Sequence, residues 1–259
     1  MAANNATQTA ERLRAWRPGV WRFHMPRAPR LITGITDRSA DLESLSAHVV
    51  HTDGIVQAEQ IHGTSLAAIE CPQSTGAVVS GCDGLVTQRR GLLLVIRTAD
   101  CLPLIVWDPI QQVVGVVHAG WRGLSAQLPI RLIGFLWHQY RSDPQDLWLG
   151  IGPSIRPCCY EVGGEFVARF GPFVQERGGR LTCDLIGCAV QQLTAAGVRS
   201  AHVLDCGECT ACNSAPACAA QLGVSSFGAA GRRWYSVRRE GETTGRLLSF
   251  VMLKTGLAG

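Results

Sequence analysis

Lysine is nearly missing from this chain of 259 residues: Lys254 is the one lysine, and the other basic residues are arginines. Those arginines are scattered rather than gathered into a block, and the net charge is only +4, so there is no electrostatic footprint for nucleic acid. Long apolar runs are also lacking. None approaches the ~20 residues that cross a bilayer, and the first residues show neither the charged start nor the apolar core of a secretory signal. A membrane is therefore not an expected partner, and the cytoplasm is the expected location. Charged residues make up 17% against 46% hydrophobic, the balance of an ordinary globular core. Cysteine runs the other way, with eleven in the chain. For a long chain without a secretion signal, an odd and high count fits burial, catalysis or metal binding better than a disulfide framework.

The densest chemistry lies between Leu92 and Gly123. Apolar runs at Leu92 to Ile96, Leu104 to Trp107 and Val113 to Val117 are short, rich in β-branched residues and bounded by Pro, Asp or Gly. That pattern predicts strands, and their continuity predicts burial on both faces. Thr98-Ala-Asp-Cys101 interrupts the first two runs, and the third ends in His118 and a Gly-Trp-Arg-Gly loop. A thiol and an imidazole held where buried strands meet loops, beside Asp100 and Arg122, form a candidate reaction centre. The competing reading keeps Cys101 as a small buried apolar residue and His118 as a hydrogen-bonded strand end.

Elsewhere the chain alternates strand and helix signals. Residues 1–30 carry six Arg and three Pro with Glu11 as the sole acid, and are expected to form a loose arm whose Trp16 and Trp21 pack on the domain. A short strand, a turn and a helix opening near Ser39 are expected from Leu31 to Val50, with Asp41 and Glu43 suited to the helix dipole. Alternation across Ile55 to Ile61 predicts a strand with His62 at its end. His48 and His51 are spaced as neighbours on a wet helix face. Asp83 to Thr87 reads as a turn into a strand, Leu124 to Tyr140 as one amphipathic helix despite Pro129, and Trp148 to Ile151 as a strand. Leu185 to Ala196 is helical, with Gly197 as its stop. Strands follow at Val198 to Leu204 and Leu247 to Leu253. The Cys206–Cys218 run crowds four thiols, but it fits neither the separated knuckles of structural zinc nor the familiar cluster spacing, so reduced loop thiols are expected there.

Six motifs then occur in one order: Gln60-Ile-His-Gly, Asp83-Gly-Leu-Val-Thr, Thr98-Ala-Asp-Cys-Leu-Pro, His118-Ala-Gly-Trp-Arg-Gly, Gly152-Pro with Cys158-Cys-Tyr-Glu-Val-Gly, and Tyr235-Ser-Val-Arg-Arg-Glu-Gly with Thr244-Gly-Arg. Together they closely resemble the YfiH-like laccase-domain family, whose members are described variously as polyphenol oxidases and as purine nucleoside phosphorylases. The resemblance runs from about residue 31 to residue 253. Val237 and Glu240 stand where the family usually has Tyr and Asp, and the Cys-rich segment before them is longer than usual.

The resemblance implies a single α+β domain over residues 31–259, with mixed β-sheets between helical layers. It further implies a metal, usually zinc, held by His62, Cys101 and His118. Two imidazoles and a thiolate suit zinc and leave a fourth position open. The implied activities are phosphorolysis of adenosine, inosine, guanosine or methylthioadenosine, and deamination of adenosine, so the partners are a purine nucleoside and phosphate. On that view Arg122, Arg238 and Arg239 are candidates for the phosphate, Asp100 and Asp83 for orienting a ligand or handling a proton, and Gln60 for the substrate. A His2Cys set can also hold copper, which makes a polyphenol oxidase the alternative, although seven histidines with no His-x-His pair make a multicopper cluster hard to assemble. A cysteine hydrolase with Cys101 as nucleophile and His118 as base is the remaining alternative.

Overall fold

Two mixed sheets stack face to face, and the strands predicted around Cys101 form their centres. The computed structural model describes residues 12–49, 52–71, 75–212 and 232–255. The first sheet contains β1 (Leu13–Arg17), β2 (Val20–Phe23), β3 (Leu31–Thr36), β4 (Gly54–Ala58), β6 (Ala77–Val79), β8 (Leu92–Thr98) and β15 (Leu247–Leu253). Its spatial order is β1-β2-β3-β15-β8-β4-β6. The second contains β5 (Leu66–Ala68), β7 (Gly84–Thr87), β9 (Leu102–Asp108), β10 (Val113–Ala119), β11 (Trp148–Ile151) and β14 (Val203–Asp205), in the order β14-β11-β9-β10-β7-β5. Both mix parallel and antiparallel pairs: β4 runs parallel to β8, whereas β15 is antiparallel to it.

The side chains of these central strands alternate between two cores, which explains why their sequence is apolar without a break. On β8, Leu92, Leu94 and Ile96 join the core between the sheets, while Leu93 and Val95 face the outer layer with Leu45 and Phe250. On β10, Val114 and Val116 point between the sheets, and Val113, Val117 and Ala119 point to the helices covering the second sheet. Each fully buried Val, Leu or Ile contributes ~1.5–3 kcal/mol of transfer free energy, so the site rests on rigid elements. Six helices complete the described fold: α1 (Leu42–His48), α2 (Trp121–Ser125), α3 (Leu128–Tyr140), α4 (Glu165–Phe170), α5 (Leu185–Ala195) and α6 (Val237–Glu240). The α1 helix covers the first sheet and α3 and α5 the second, which makes this the single mixed domain with helical outer layers that the sequence implied. No described helix is long and apolar enough to cross a membrane.

Several boundaries differ from expectation. Residues 13–23, assigned to a loose arm, instead pair as an antiparallel hairpin on the edge of the first sheet, where the Trp21 indole donates to Asp37 at 2.9 Å. The helix expected near Ser39 begins at Leu42, because Asp41 caps it by accepting from the Ser44 amide. Such a cap is worth ~1 kcal/mol, enough to set the start. The strand from Ile55 ends at Ala58, since Gln60 and His62 take φ of 66° and 58°, outside extended geometry. The single helix expected over Leu124 to Tyr140 is two. Gln127 breaks it in the left-handed region at φ 60°, and Pro129 then falls in the first turn of α3, where its missing N–H costs nothing. The strand expected from Val198 shrinks to Val203–Asp205 behind a short 3-10 turn at Ser200–His202. His51 and Cys218 lie outside the described residues.

Candidate metal centre

Cys101 lies in the three-residue passage between β8 and β9, which carries the chain from one sheet into the other. Asp100 makes that turn at φ 88°. Backbone strain of this kind costs about 1–3 kcal/mol per non-glycine residue and persists where surrounding contacts impose it. Here they are explicit. The Asp100 carboxylate accepts from the Thr210 hydroxyl at 2.6 Å and from the Arg238 backbone N–H at 2.7 Å, and its carbonyl accepts from the Ile155 amide at 2.9 Å. The antiparallel register of β9 and β10 sets His118 opposite Pro103 and Ala119 opposite Leu102, so the imidazole arrives beside Cys101. His62 comes from the loop after β4, its ring edge-on to that of His118 with centroids 4.7 Å apart.

The three potential ligand atoms of His62, Cys101 and His118 all lie within 4.8 Å of one another. Asp83, fully buried, accepts from His118 Nδ1 at 2.9 Å and from the Gly63 amide at 2.7 Å. One carboxylate thus fixes the His118 tautomer and the loop that carries His62, and leaves His118 Nε2 to face the thiol. Gly120 completes the cradle: a Cβ there would stand 3.2 Å from both Cys101 Sγ and His62 Nδ1. Burial alone would raise the Cys101 thiol, but hydrogen bonds with His118 and His62 more than offset it and bring its pKa down to about 7. Burial would likewise lower His118, yet its bonds with Asp83 and Cys101 hold it up at about 9. Two imidazoles and an easily ionised thiol, with no side chain at Gly120 to crowd them, fit a zinc ion with one open coordination position.

That open side faces a cavity of about 710 Å³. Arg122 lines it, but not from a Gly-flanked loop as expected: the residue belongs to α2, and its guanidinium lies over the Trp121 ring at 4.6 Å. Gly120 alone separates β10 from the helix and caps its start, leaving no room for a loop. Arg238 lines the cavity as well, its side chain donating to the Glu161 carbonyl at 2.7 Å and crossing the Tyr160 ring. Arg239 is placed differently. Its guanidinium donates to the carbonyls of Thr210, Ala211 and Trp234 and to the Glu240 carboxylate, which makes it a brace behind the wall. Gln60 is at the mouth, but its amide is occupied by the backbone of Arg97 through bonds of 2.6 and 2.7 Å. Sequence reasoning missed Arg97, Arg246 and Tyr160 in the lining. A signal existed for Arg97, the one charged and exposed residue of β8.

Residues 37–216 match a family model described as multi-copper polyphenol oxidoreductase laccase. Purine nucleoside phosphorylase YlmD of Geobacillus stearothermophilus is 32% identical over 209 residues, covering 74% of this chain and 70% of that protein. A purine nucleoside phosphorylase of Deinococcus radiodurans is 32% identical over 203 residues, covering 74% of each. Among solved structures, Geobacillus stearothermophilus YlmD superposes with a TM-score of 0.81 at 25% identity, over 94% of this chain and 99% of that one. A Bacillus licheniformis hypothetical protein, YfiH, shares the fold with a TM-score of 0.79 at 22% identity over 94% of this chain and all of that one.

Proposed function

The chain belongs to the multi-copper polyphenol oxidoreductase laccase family, and we propose that within it this protein is a zinc-dependent purine nucleoside enzyme of the cytoplasm. Its reactions are the phosphorolysis of purine nucleosides, among them adenosine, inosine, guanosine and methylthioadenosine, and the deamination of adenosine. The observation that carries this reading is the juxtaposition of a His2Cys set with one open side and a cavity lined by several arginines. The phosphorylase names of its relatives support it. Bound by His62, Cys101 and His118, zinc would supply Lewis acidity for hydrolytic attack at purine C6. The remaining work falls to the chain itself. Asp83 keeps the proton on His118 Nδ1, so that the imidazole presents Nε2. Arg122 and Arg238, with Arg97 and Arg246 nearby, hold phosphate near the ribose, since guanidinium matches its oxygens in a planar fork. Asp100 positions Arg238 by accepting its backbone N–H, Gln60 positions Arg97, and Arg239 holds the wall.

The test is to incubate metal-defined protein with adenosine, with and without phosphate, and to identify the products. Adenine and ribose 1-phosphate should form with phosphate, and inosine without it. Absence of all three overturns the reading. A second reading is favoured by one observation, the line Asp83–His118–Cys101, which also has the form of a thiol nucleophile with its base and orienting acid. Exhaustive chelation separates the two, because a cysteine hydrolase keeps its activity without metal. The multicopper oxidase reading finds less support: among the described residues the candidate metal clusters are this triad and one made of cysteines alone, so the several histidines of a multicopper site are not assembled.

A further inference from the structure

The second cluster joins Cys158, Cys159, Cys209 and Cys212, whose sulfurs all lie within 4.8 Å of one another. The Cys206–Cys218 run on its own matched no metal pattern. The fold supplies what that run lacks, a second pair from the turn after β11. We propose that in the reduced protein these four cysteines bind a structural zinc ion, independently of whatever reaction the His62 centre performs.

Four observations support the site. At a Zn–S distance of about 2.3 Å, the sulfurs of a tetrahedron stand about 3.8 Å apart. The Cys158 sulfur lies 3.7 Å from that of Cys209 and 3.8 Å from that of Cys212, already at that edge length. The backbone holding them is fixed from outside the cluster, because the Thr210 amide donates to the Ser154 carbonyl at 3.1 Å and Arg156 donates to the Glu208 carbonyl at 3.2 Å. A backbone donor also reaches the cluster, the Cys212 N–H facing the Cys209 sulfur. Finally, Cys212 is exposed, so burial of an apolar thiol does not account for its place beside the other three sulfurs.

Cys158 is disulfide-bonded in this structure, so the site belongs to the reduced chain. A phosphine reductant with one water converts that disulfide to two thiols and leaves as phosphine oxide. The four thiols then release their protons as the ion binds. The consequence reaches the cavity. Thr210, between the two knuckle cysteines, donates to Asp100, and the carbonyls of Thr210 and Ala211 hold Arg239. Tyr160, next to Cys159, lies under Arg238. An ion here fixes the wall that carries Arg238.

The experiment measures zinc per chain by elemental analysis after phosphine reduction and zinc reconstitution, with cobalt substitution as a spectroscopic readout. The unmodified chain should hold two ions. Cys101→Ala should keep one, and its cobalt form should show the intense sulfur-to-metal absorption of a tetrathiolate site. Cys209→Ser should also keep one, without that absorption. A Cys101→Ala protein that holds no metal, or whose cobalt form lacks that absorption, overturns the proposal. The Cys101→Ala measurement decides the matter even if Cys209→Ser fails to fold.

Discussion

The two clusters of this protein that could hold a metal ion differ in almost every physical respect. His62, Cys101 and His118 are mixed donors, the first on the loop after β4 and the other two where buried strands end, and they are open on one side to a cavity of about 710 Å³. Cys158, Cys159, Cys209 and Cys212 are alike and stand in turns, and together they would fill all four positions of a tetrahedron. Three ligands with an open fourth leave room for a reacting molecule, whereas four thiolates leave none. The buffering of the first cluster also differs: a fully buried carboxylate, Asp83, aligns one of its imidazoles, while the second is held by backbone bonds. On the proposed reading, one cluster serves chemistry and the other holds two loops together.

The comparison can be broken most severely at Cys101. Cys101→Ala should abolish both phosphorolysis and deamination while leaving the thermal unfolding midpoint nearly unchanged; retained turnover would show that the mixed cluster is not the reaction centre. Next in size is Arg122→Ala. If Arg122 holds phosphate, phosphorolysis should fall ~100-fold and deamination much less, as when a contact to developing charge is removed. Equal losses in steady-state kinetics, with metal content unchanged, would reduce Arg122 to a scaffold. Asp83→Asn, which keeps the shape but weakens the partner of His118, should lower zinc affinity by ~10–100-fold in competition titrations. Unaltered affinity would separate Asp83 from the metal.

The smallest effect is read by alkylation of metal-free protein against pH. Because its folded-state pKa is pulled below the usual thiol range to about 7, Cys101 becomes thiolate as pH rises through 7 and should be modified at pH 8. Burial holds Cys188 at about 11 and Cys183 at about 12, so these should stay unmodified there. Peptide mapping that finds Cys183 labelled before Cys101 would contradict the electrostatics of the triad.

Much of the first cluster was legible in the sequence, and the reason is local. Cys101 and His118 terminate runs whose apolar continuity already required buried strands, and the register of β9 and β10 follows from the short connection between them. His62 was recognisable only through its motif, since the φ values of Gln60 and His62 end the strand earlier than alternation suggested. The second cluster was hidden because its halves lie about fifty residues apart and meet through Ser154 and Thr210, a pairing that no spacing encodes. Arg238 and Arg239 looked equivalent as neighbours. The turn of α6 sends one to the cavity and the other into four acceptors behind it, a distinction that depends on where the Thr210 and Ala211 carbonyls lie. The hairpin of β12 (Val174–Arg177) and β13 (Arg180–Cys183) was missed because its strands are polar, although Gly178 and Gly179, both at positive φ, carried the turn signal.

The central claim, that the mixed cluster holds the catalytic metal, is tested most directly by anomalous diffraction. Crystals of protein purified without added metal and shown to be active on adenosine would be measured on both sides of the zinc absorption edge. The account predicts a zinc peak bonded to one nitrogen of His62, the sulfur of Cys101 and Nε2 of His118, with its fourth position toward the arginine-lined cavity. An active crystal with no peak among these three side chains would contradict it.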